Sequence, residues 1–162
     1  MTDLPLRDLA REDRDPIGSI LVSAGVFRPD EVAVGLELVD ESLNPTPQTT
    51  YRWVVAGPVG RPVGFACFGP VPMTDGTFDL YWIVVDPDLR GSGLASRLDE
   101  AVTEAVRGEG ARWLLAETSS TSGYEPARRF YLKQGYRPLG CIPDYYRVGD
   151  DRLTFGKRLD GA

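Results

Sequence analysis

The stretch from Ile83 to Ala95 constrains the fold of this chain more than any other part of the sequence. Its β-branched residues end a predicted strand, a short turn follows, and Gly91 and Gly93 open a segment with the apolar spacing of an amphipathic helix. The first N–H groups of a helix have no partner inside it, and the helix dipole favours negative charge there. Glycines let an anion approach the backbone closely. The stretch predicts an anion-binding turn, or, without a ligand, a glycine-eased connection between strand and helix.

The residue types that the chain lacks narrow its chemistry. It contains no histidine, which excludes Ser-His and Cys-His triads, histidine metal ligands and a histidine general base. Cys67 and Cys141 form no CxxC pair, so we predict two small core residues and neither a metal site nor a disulfide framework. Any general base must therefore be Asp, Glu, Lys, Tyr, Cys or water.

The length of the chain limits the number of domains, and its net charge limits the classes of partner. A chain of 162 residues with 42% hydrophobic residues fits one globular domain, residues 1–162. Its net charge of −6 argues against nucleic acid and suits a cationic or neutral substrate. No apolar run has the length of a membrane span, and the residues after Met1 lack the pattern of a signal peptide. We therefore expect a reduced, cytoplasmic protein that contacts no membrane.

Apolar periodicity and turn residues predict the element order β-α-α-β-β-β-α-β-α-β-β. This order is typical of one α/β or α+β domain with a mixed, mostly antiparallel sheet of about seven strands and with about four helices. Two helices follow the first strand, a third follows the glycine stretch and Pro126 opens the fourth. The predicted strands are Leu4–Leu9, Tyr51–Ala56, Val63–Phe68, Thr77–Val85, Trp113–Glu117, Tyr136–Tyr146 and Arg152–Leu159.

The glycine stretch is compatible with more than one ligand. It is not a Walker A loop, because no Gly-Lys-Ser/Thr follows. Gly91-Ser92-Gly93-Leu94-Ala95-Ser96 is closer to the dinucleotide fingerprint, with Glu117 where a ribose-binding acid would lie, and this keeps an NAD-dependent oxidoreductase as an alternative. The third glycine is missing, however, and five residues separate Val85 from Gly91, although that fingerprint normally follows its strand directly.

A third interpretation comes from a family resemblance. Arg90-Gly91-Ser92-Gly93-Leu94-Ala95 fits the Q/R-x-x-G-x-G/A coenzyme A motif of the GNAT superfamily of N-acetyltransferases. Phe130-Tyr131-Leu132-Lys133-Gln134-Gly135-Tyr136 is similar to the family's FYxxxGF segment. The resemblance implies a single GNAT-like domain that transfers an acetyl group from acetyl-CoA directly to a primary amine. A non-catalytic acyl-CoA-binding or regulatory domain is the alternative from a different functional class.

The resemblance also implies which residues hold acetyl-CoA. Segment 77–107 would be the binding strand-loop-helix, and residues 1–48 would form the acceptor side. Backbone groups of the strand would line the pantetheine and the thioester, amides of the loop would bind the pyrophosphate, and Arg90 would act mainly through backbone and turn geometry. The implied set is Ile83, Val84, Val85, Arg90, Gly91, Ser92, Gly93, Leu94, Ala95 and Ser96.

Acetylation of an amine needs a proton acceptor, and the departing thiolate must be protonated or stabilised. In the similar branch of ribosomal-protein N-terminal acetyltransferases, a Glu at the position of Glu117 is the base, acting through water, and the FY tyrosine is the acid. The resemblance therefore implies Glu117 as base and Tyr131 as acid. The alternatives are a solvated strand-end carboxylate or a loop cap for Glu117, and a core aromatic for Tyr131. Where the branch has an Asn that contacts coenzyme A, this chain has Tyr124, so the branch's substrate is not implied.

The acceptor, a small molecule or a peptide with an amine, should lie between the first two helices and the terminal hairpin. Because side chains alternate along a strand, only one of Tyr145 and Tyr146 should face this cleft. The terminal strands could offer an edge for a homodimer, although no residue decides for one. Several acids could attract a cationic amine, while many of them are also ordinary surface or turn residues: Glu37, Asp40, Glu41, Asp79, Glu117, Asp144, Asp150 and Asp151.

Overall fold

The computed structural model describes residues 4–161 of the chain. Seven strands and four helices follow one another in the predicted order. The strands are β1 (Leu6–Arg7), β2 (Arg52–Ala56), β3 (Gly64–Pro70), β4 (Thr77–Val85), β5 (Trp113–Ser119), β6 (Arg137–Arg147) and β7 (Asp150–Arg158). The helices are α1 (Arg14–Ser23), α2 (Pro29–Leu43), α3 (Leu94–Arg107) and α4 (Glu125–Lys133).

The strands form one sheet in the order β1-β2-β3-β4-β5-β7-β6. The pairs β1–β2, β2–β3, β5–β7 and β6–β7 are antiparallel, whereas β4 and β5 are parallel. A parallel pair needs a crossover connection, and α3 lies between these two strands in the chain. The prediction of a mixed, mostly antiparallel sheet with seven strands and four helices is confirmed.

The described chain divides into two compact units whose boundaries cross β4 and α3. The first unit contains the residues up to Gly69 and Trp82–Val102, and the second contains Pro70–Tyr81 and the residues from Thr103 onward. The glycine stretch and the end of β4 therefore belong to the first unit. Glu117 and Tyr131 belong to the second.

The core of the first unit forms where one face of α1 packs with residues of α2, β2, β3 and β4. Ile17, Ile20, Leu21 and Ala24, which share the predicted apolar face of α1, are all buried. Gly25 adopts φ 78° directly after this helix, a left-handed conformation that glycine reaches without steric cost. The predicted end of α1 is therefore confirmed.

The core of the second unit follows from alternation along β5. Leu114, Ala116 and Thr118 are buried, while Glu117 between them is exposed. Phe155 on β7 pairs with Ala116 and is buried on the same face. One face of the β5–β7 pair is therefore mainly apolar, with Lys157 opposite Leu114, and the other carries Glu117, Arg152 and Arg158.

The predicted bounds of β4 are confirmed, whereas the other six strands differ from theirs by one or two residues at one end or both. Only Leu6 and Arg7 of β1 pair with β2, so β1 is shorter than the predicted Leu4–Leu9. In contrast, β5 continues to Ser119, because β7 pairs with it as far as Ser119 and Arg152. Glu117 consequently lies inside a strand and not at its end.

The prediction for the cysteines is half right. Cys67 is fully buried in β3, and burial raises the pKa of its thiol. Cys141, predicted to be a core residue, is exposed. It lies on β6, which is the outermost strand of the sheet and exposed along its whole length, so its apolar neighbours in sequence do not imply burial.

Among residues 4–161, none of the helices is both long and apolar enough to cross a membrane.

Candidate active site

The connection between β4 and α3 is a tightly bonded turn that ends in an open loop. The N–H of Asp86 donates to the carbonyl of Val63 at 2.8 Å, and an Asp86 carboxylate oxygen accepts from the N–H of Asp88 at 2.9 Å. Gly91 and Gly93 adopt φ 77° and 85°. Because side chains disfavour this left-handed region, glycine is the residue that this path of the backbone requires.

The loop leaves open space beside its backbone. Gly91, Ser92 and Gly93 are exposed, and a Cβ atom added at either glycine would have no neighbouring heavy atom within 4 Å. The N–H of Leu94 donates to the Ser92 hydroxyl at 3.4 Å, and the α3 ladder begins with Arg97 N–H to the Gly93 carbonyl at 3.1 Å. An accessible backbone at the start of a 14-residue helix fits a phosphate group.

The side chain of Arg90 points back to α1. Its Nη2 donates to the carbonyl of Ala24 at 3.0 Å, at the end of the helix where carbonyls lack helical partners. The guanidinium thus ties the loop to α1. Whether position 90 acts mainly through backbone and turn geometry stays a prediction.

The end of β4 buries its side chains to different degrees. Val84 is buried in the core of the first unit, and Ile83 and Val85 are half-buried. The Val84 side chain therefore belongs to the core, whereas those of Ile83 and Val85 are partly accessible. The parallel ladder between β4 and β5 comprises three pairs and ends at Asp79 and Leu115.

In the second unit, Glu117 is bound to an arginine of the neighbouring strand. Arg152 Nη2 lies 3.0 Å from Glu117 Oε1, and the Glu117 side chain is 44% exposed. Glu117 pairs with Thr154 in the β5–β7 ladder, two residues from Arg152. Glu117 is therefore inside β5 and not at the strand end, and its carboxylate is ion-paired and partly exposed to solvent.

Asp79 lies on the same face of the sheet as Glu117. Asp79 is opposite Leu115, and Leu115 and Glu117 are two residues apart on β5. Burial, and then the negative charge of Glu117, raise the pKa of Asp79 to about 6 against the opposing effect of Arg152. In the sequence, Asp79 is only one of several acids that could attract a cationic amine. The signal that singles it out is an acid between the apolar residues Phe78 and Leu80 on a strand next to β5.

Tyr145 and Tyr146 do not separate to opposite faces, so the expectation from strict alternation is wrong. Their rings lie 5.0 Å apart and nearly perpendicular. Arg152 Cζ lies 4.9 Å from the centre of the Tyr145 ring, and burial and then Glu117 raise the pKa of Tyr146. The cause is an irregularity of β6 between Ile142 and Arg147, where Asp144 adopts φ 53°.

Tyr131 is fixed in a cluster of aromatic rings on the apolar face of the second unit. Its ring lies 5.2 Å from that of Tyr136 and 5.8 Å from those of Phe130 and Phe155. Tyr131 is buried, whereas Phe130 is half-buried. The tyrosine thus has the packing of a core aromatic, and its hydroxyl is held by a rigid ring.

Most of the other predicted acids have local structural partners. Asp40 is ion-paired with Arg14 at 2.9 Å, which holds the pKa of its carboxyl below the usual value. The acids of the terminal hairpin have partners in it or on β5. Asp144 accepts from the N–H of Gly149, and Asp151 accepts from the N–H of Asp144. Buried Asp150 accepts from Arg147 of the hairpin and from Ser119 of β5. These contacts favour the interpretation of the hairpin acids as turn residues.

Within the described part of the chain, no cluster of three or more Cys, Asp or Glu side chains is arranged to hold a metal ion.

Comparison with known proteins identifies the fold and the family. A family model of acetyltransferase (GNAT) domains matches residues 49–138. The solved structure of a GNAT-family protein from Desulfovibrio desulfuricans is 38% identical to this chain, covers 96% of this chain and 99% of its own, and has a TM-score of 0.90. A sequence search of curated proteins found no significant match.

Two more distant structures have the same fold. The Escherichia coli ribosomal-protein-alanine N-acetyltransferase is 20% identical over 98% of this chain and 96% of its own, with a TM-score of 0.75. A Salmonella typhimurium protein, solved with its cofactor acetyl-CoA, is 19% identical over 99% of this chain and 96% of its own, with a TM-score of 0.72. At these identities the similarity describes the architecture alone.

Proposed function

The chain belongs to the GNAT family of acetyltransferases and uses acetyl-CoA to acetylate an amine, and from this premise we propose the residues that perform the transfer. Glu117 accepts a proton from the amine, and Tyr131 donates a proton to the departing thiolate. The loop before α3 binds the pyrophosphate of acetyl-CoA. The observation that carries the proposal is this loop, whose glycines leave open space beside their backbone.

Acetyl-CoA binds along the strand-loop-helix segment 77–107 in this proposal. The backbones of Ile83, Val84 and Val85 line the pantetheine, and the side chain of Val84 packs in the core of the first unit. The amides from Gly91 to Ser96 face the pyrophosphate, supported by the positive end of the α3 dipole. Arg90 holds the loop in place through Ala24.

Glu117 is suited to accept a proton because its carboxyl group is accessible. An amine cannot attack while it is protonated. The pKa of a lysine side chain is about 10.4, so such an amine is mostly protonated at neutral pH. A carboxylate accepts that proton through a water when the two groups are not in direct contact. The Glu117 side chain is 44% exposed, so a water or an amine can reach it.

Tyr131 is suited to donate a proton because an ordinary phenol stays protonated up to a pH of about 10. Three neighbouring rings, those of Phe130, Tyr136 and Phe155, fix the orientation of its side chain. Orientation matters because a proton donor must lie within hydrogen-bond reach of the leaving atom.

Bound acetyl-CoA supplies the thioester, whose C–S bond breaks as the amide N–C bond forms. The amine proton leaves through Glu117, and the thiolate receives a proton from Tyr131. The two residues return to their starting states by exchange with solvent, so the cycle consumes only acetyl-CoA and amine.

The acceptor in this proposal is a small molecule or a peptide with a cationic primary amine, approached from the side of residues 1–48. The net charge of −6 and the shared face of Asp79 and Glu117 support a cationic acceptor. Cys67 and Cys141 are free thiols, which supports a reducing compartment such as the cytoplasm. A homodimer through the terminal strands stays a prediction.

A thermal-shift titration tests the cofactor part of the proposal. Acetyl-CoA and CoA are expected to raise the melting temperature, whereas NAD and ATP are not. A ligand at one hundred times its dissociation constant stabilises by about 2.7 kcal/mol, which a melting curve resolves. A higher melting temperature with NAD alone, or an unchanged melting temperature with both acetyl-CoA and CoA, would contradict the proposed role of the loop.

A further inference from the structure

Arg152 is held on two sides beside the proposed base. Its Nη2 lies 3.0 Å from Glu117 Oε1 on β5. Its guanidinium lies over the ring of Tyr145, with Cζ 4.9 Å from the ring centre. A guanidinium that is fixed in this way presents its charge to Glu117 in one orientation.

Two acids share the face on which Arg152 lies. Asp79 on β4 and Glu117 on β5 interact as like charges, which disfavours having both ionised. The other titratable groups that face the pair are Arg152 on β7 and Tyr146 on β6, with Tyr145 beneath the guanidinium. Arg152 is thus the positive charge among two carboxyls and two phenols.

We propose that Arg152 is a positioning residue for Glu117, whose carboxylate it holds in one orientation on the face that Asp79 shares. The contact with Glu117 is a direct ion pair, whereas Asp79 is influenced by the charge of the guanidinium. Asp79 is in addition half-buried, and burial disfavours its charged form. This inference rests on the proposed role of Glu117 and adds the residue that orients it.

The sequence alone does not reveal this arrangement. Arg152 lies 35 positions after Glu117 and becomes its neighbour only through the register of β7 on β5, in which Arg152 pairs with Ser119. Tyr145 reaches Arg152 only because β6 is irregular before Arg147.

A carboxyl titration of Asp79 measures whether the charge of Arg152 acts on this face. The chain is labelled with carbon-13 at the side-chain carboxyl of aspartate, and the Asp79 resonance is assigned by its loss in Asp79→Asn. In the unsubstituted chain, Asp79 is expected to titrate near pH 6. In Arg152→Gln its midpoint should rise by about one pH unit, the usual effect of a nearby opposite charge. Arg152→Lys keeps the charge and should restore most of the original midpoint.

Arg158→Gln is the matched control. Arg158 also lies on β7, is ion-paired with Asp160 and is stacked on Trp113, so its loss changes the net charge equally. In Arg158→Gln the titration midpoint of Asp79 should equal that in the unsubstituted chain. An unchanged midpoint in Arg152→Gln, or an equal shift in Arg158→Gln, would overturn the proposal. The titration needs neither acetyl-CoA nor acceptor, so its result is separate from the turnover of Glu117→Gln, which tests the proposed function.

Discussion

Glu117 and Tyr131 both contact β7, at neighbouring residues of that strand. Glu117 pairs with Thr154, whereas the ring of Tyr131 packs against Phe155, the next residue on β7. In the proposed reaction Glu117 acts on the amine nitrogen and Tyr131 on the thioester sulfur. These two atoms are bonded to the same carbon during the transfer, so the reaction needs both side chains at one thioester.

Replacing Glu117 by Gln removes the proton acceptor with little change in shape. The turnover number is expected to fall by about 100-fold or more, the usual contribution of a general base. The affinity for acetyl-CoA should stay the same, because the proposed cofactor residues lie elsewhere in the chain. Steady-state kinetics with a confirmed amine and a calorimetric titration measure the two quantities.

Glu125→Gln is the matched control for that substitution. Glu125 is also an exposed glutamate in an ion pair, with Arg129 on α4. Glu125→Gln should keep the turnover number within about twofold of that of the unsubstituted chain, because Glu125 has no proposed role in the reaction. Surface ion pairs contribute little to stability, so the fold should also be unaffected. Equal turnover of the two variants would refute the assignment of Glu117.

Replacing Tyr131 by Phe removes one hydroxyl and keeps the ring packing. Turnover is expected to fall by about 100-fold, while acetyl-CoA binding and the melting temperature change little. Tyr136→Phe removes a hydroxyl from the neighbouring ring, 5.2 Å away, and should leave turnover nearly unchanged. If the two variants lose turnover equally, the proton-donor role of Tyr131 is wrong.

Replacing Gly93 by Ala introduces a methyl group into the open space of the loop. The positive φ of 85° should make the variant less stable by roughly 1–2 kcal/mol. If the pyrophosphate occupies this space, the dissociation constant of acetyl-CoA should rise about tenfold or more. A tenfold rise corresponds to a loss of about 1.4 kcal/mol of binding free energy.

Gly110→Ala separates strain from binding. Gly110 has φ 79° and equally open surroundings, but it follows α3 instead of preceding it. Its variant should lose similar stability and keep its affinity for acetyl-CoA. Weakened binding in both variants, or in neither, would contradict the proposed phosphate site.

Asp79 should make stability depend on pH. Its folded-state pKa of about 6 lies above the ordinary value of 3.8, so between these values the folded chain holds a proton that the unfolded chain releases. The free energy of unfolding therefore falls as pH rises through this window. Asp79→Asn should be more stable than the unsubstituted chain at pH 7.5, by about 1–3 kcal/mol, with the difference shrinking below pH 4. A difference that is constant with pH in denaturant titrations would contradict this account.

The sequence predicts the architecture well because the signals for it are local. The apolar face of α1, the end of that helix at Gly25 and the strand Thr77–Val85 each follow from neighbouring residues. The glycine loop is also local, since it combines strand, turn and helix in a single stretch. These elements are found where they were predicted.

The surroundings of Glu117 depend on contacts between distant strands. The partnership with Arg152 follows from the β5–β7 register, and the joint position of Tyr145 and Tyr146 follows from an irregularity in β6. Alternation assumes a regular strand, and so it fails for these tyrosines. The exposure of Cys141 likewise depends on β6 being the edge of the sheet, which local apolar composition does not reveal.

The most direct test of the whole account is the amine-dependent release of CoA. Free thiol is followed after acetyl-CoA is mixed with the protein and a panel of primary amines that includes peptides with free N-termini, lysine and polyamines. The account predicts that at least one cationic amine accelerates thiol release and becomes acetylated by mass, and that Glu117→Gln suppresses both. Binding of acetyl-CoA without acceleration by any amine would contradict it, and would instead indicate an acyl-CoA-binding domain without transferase activity.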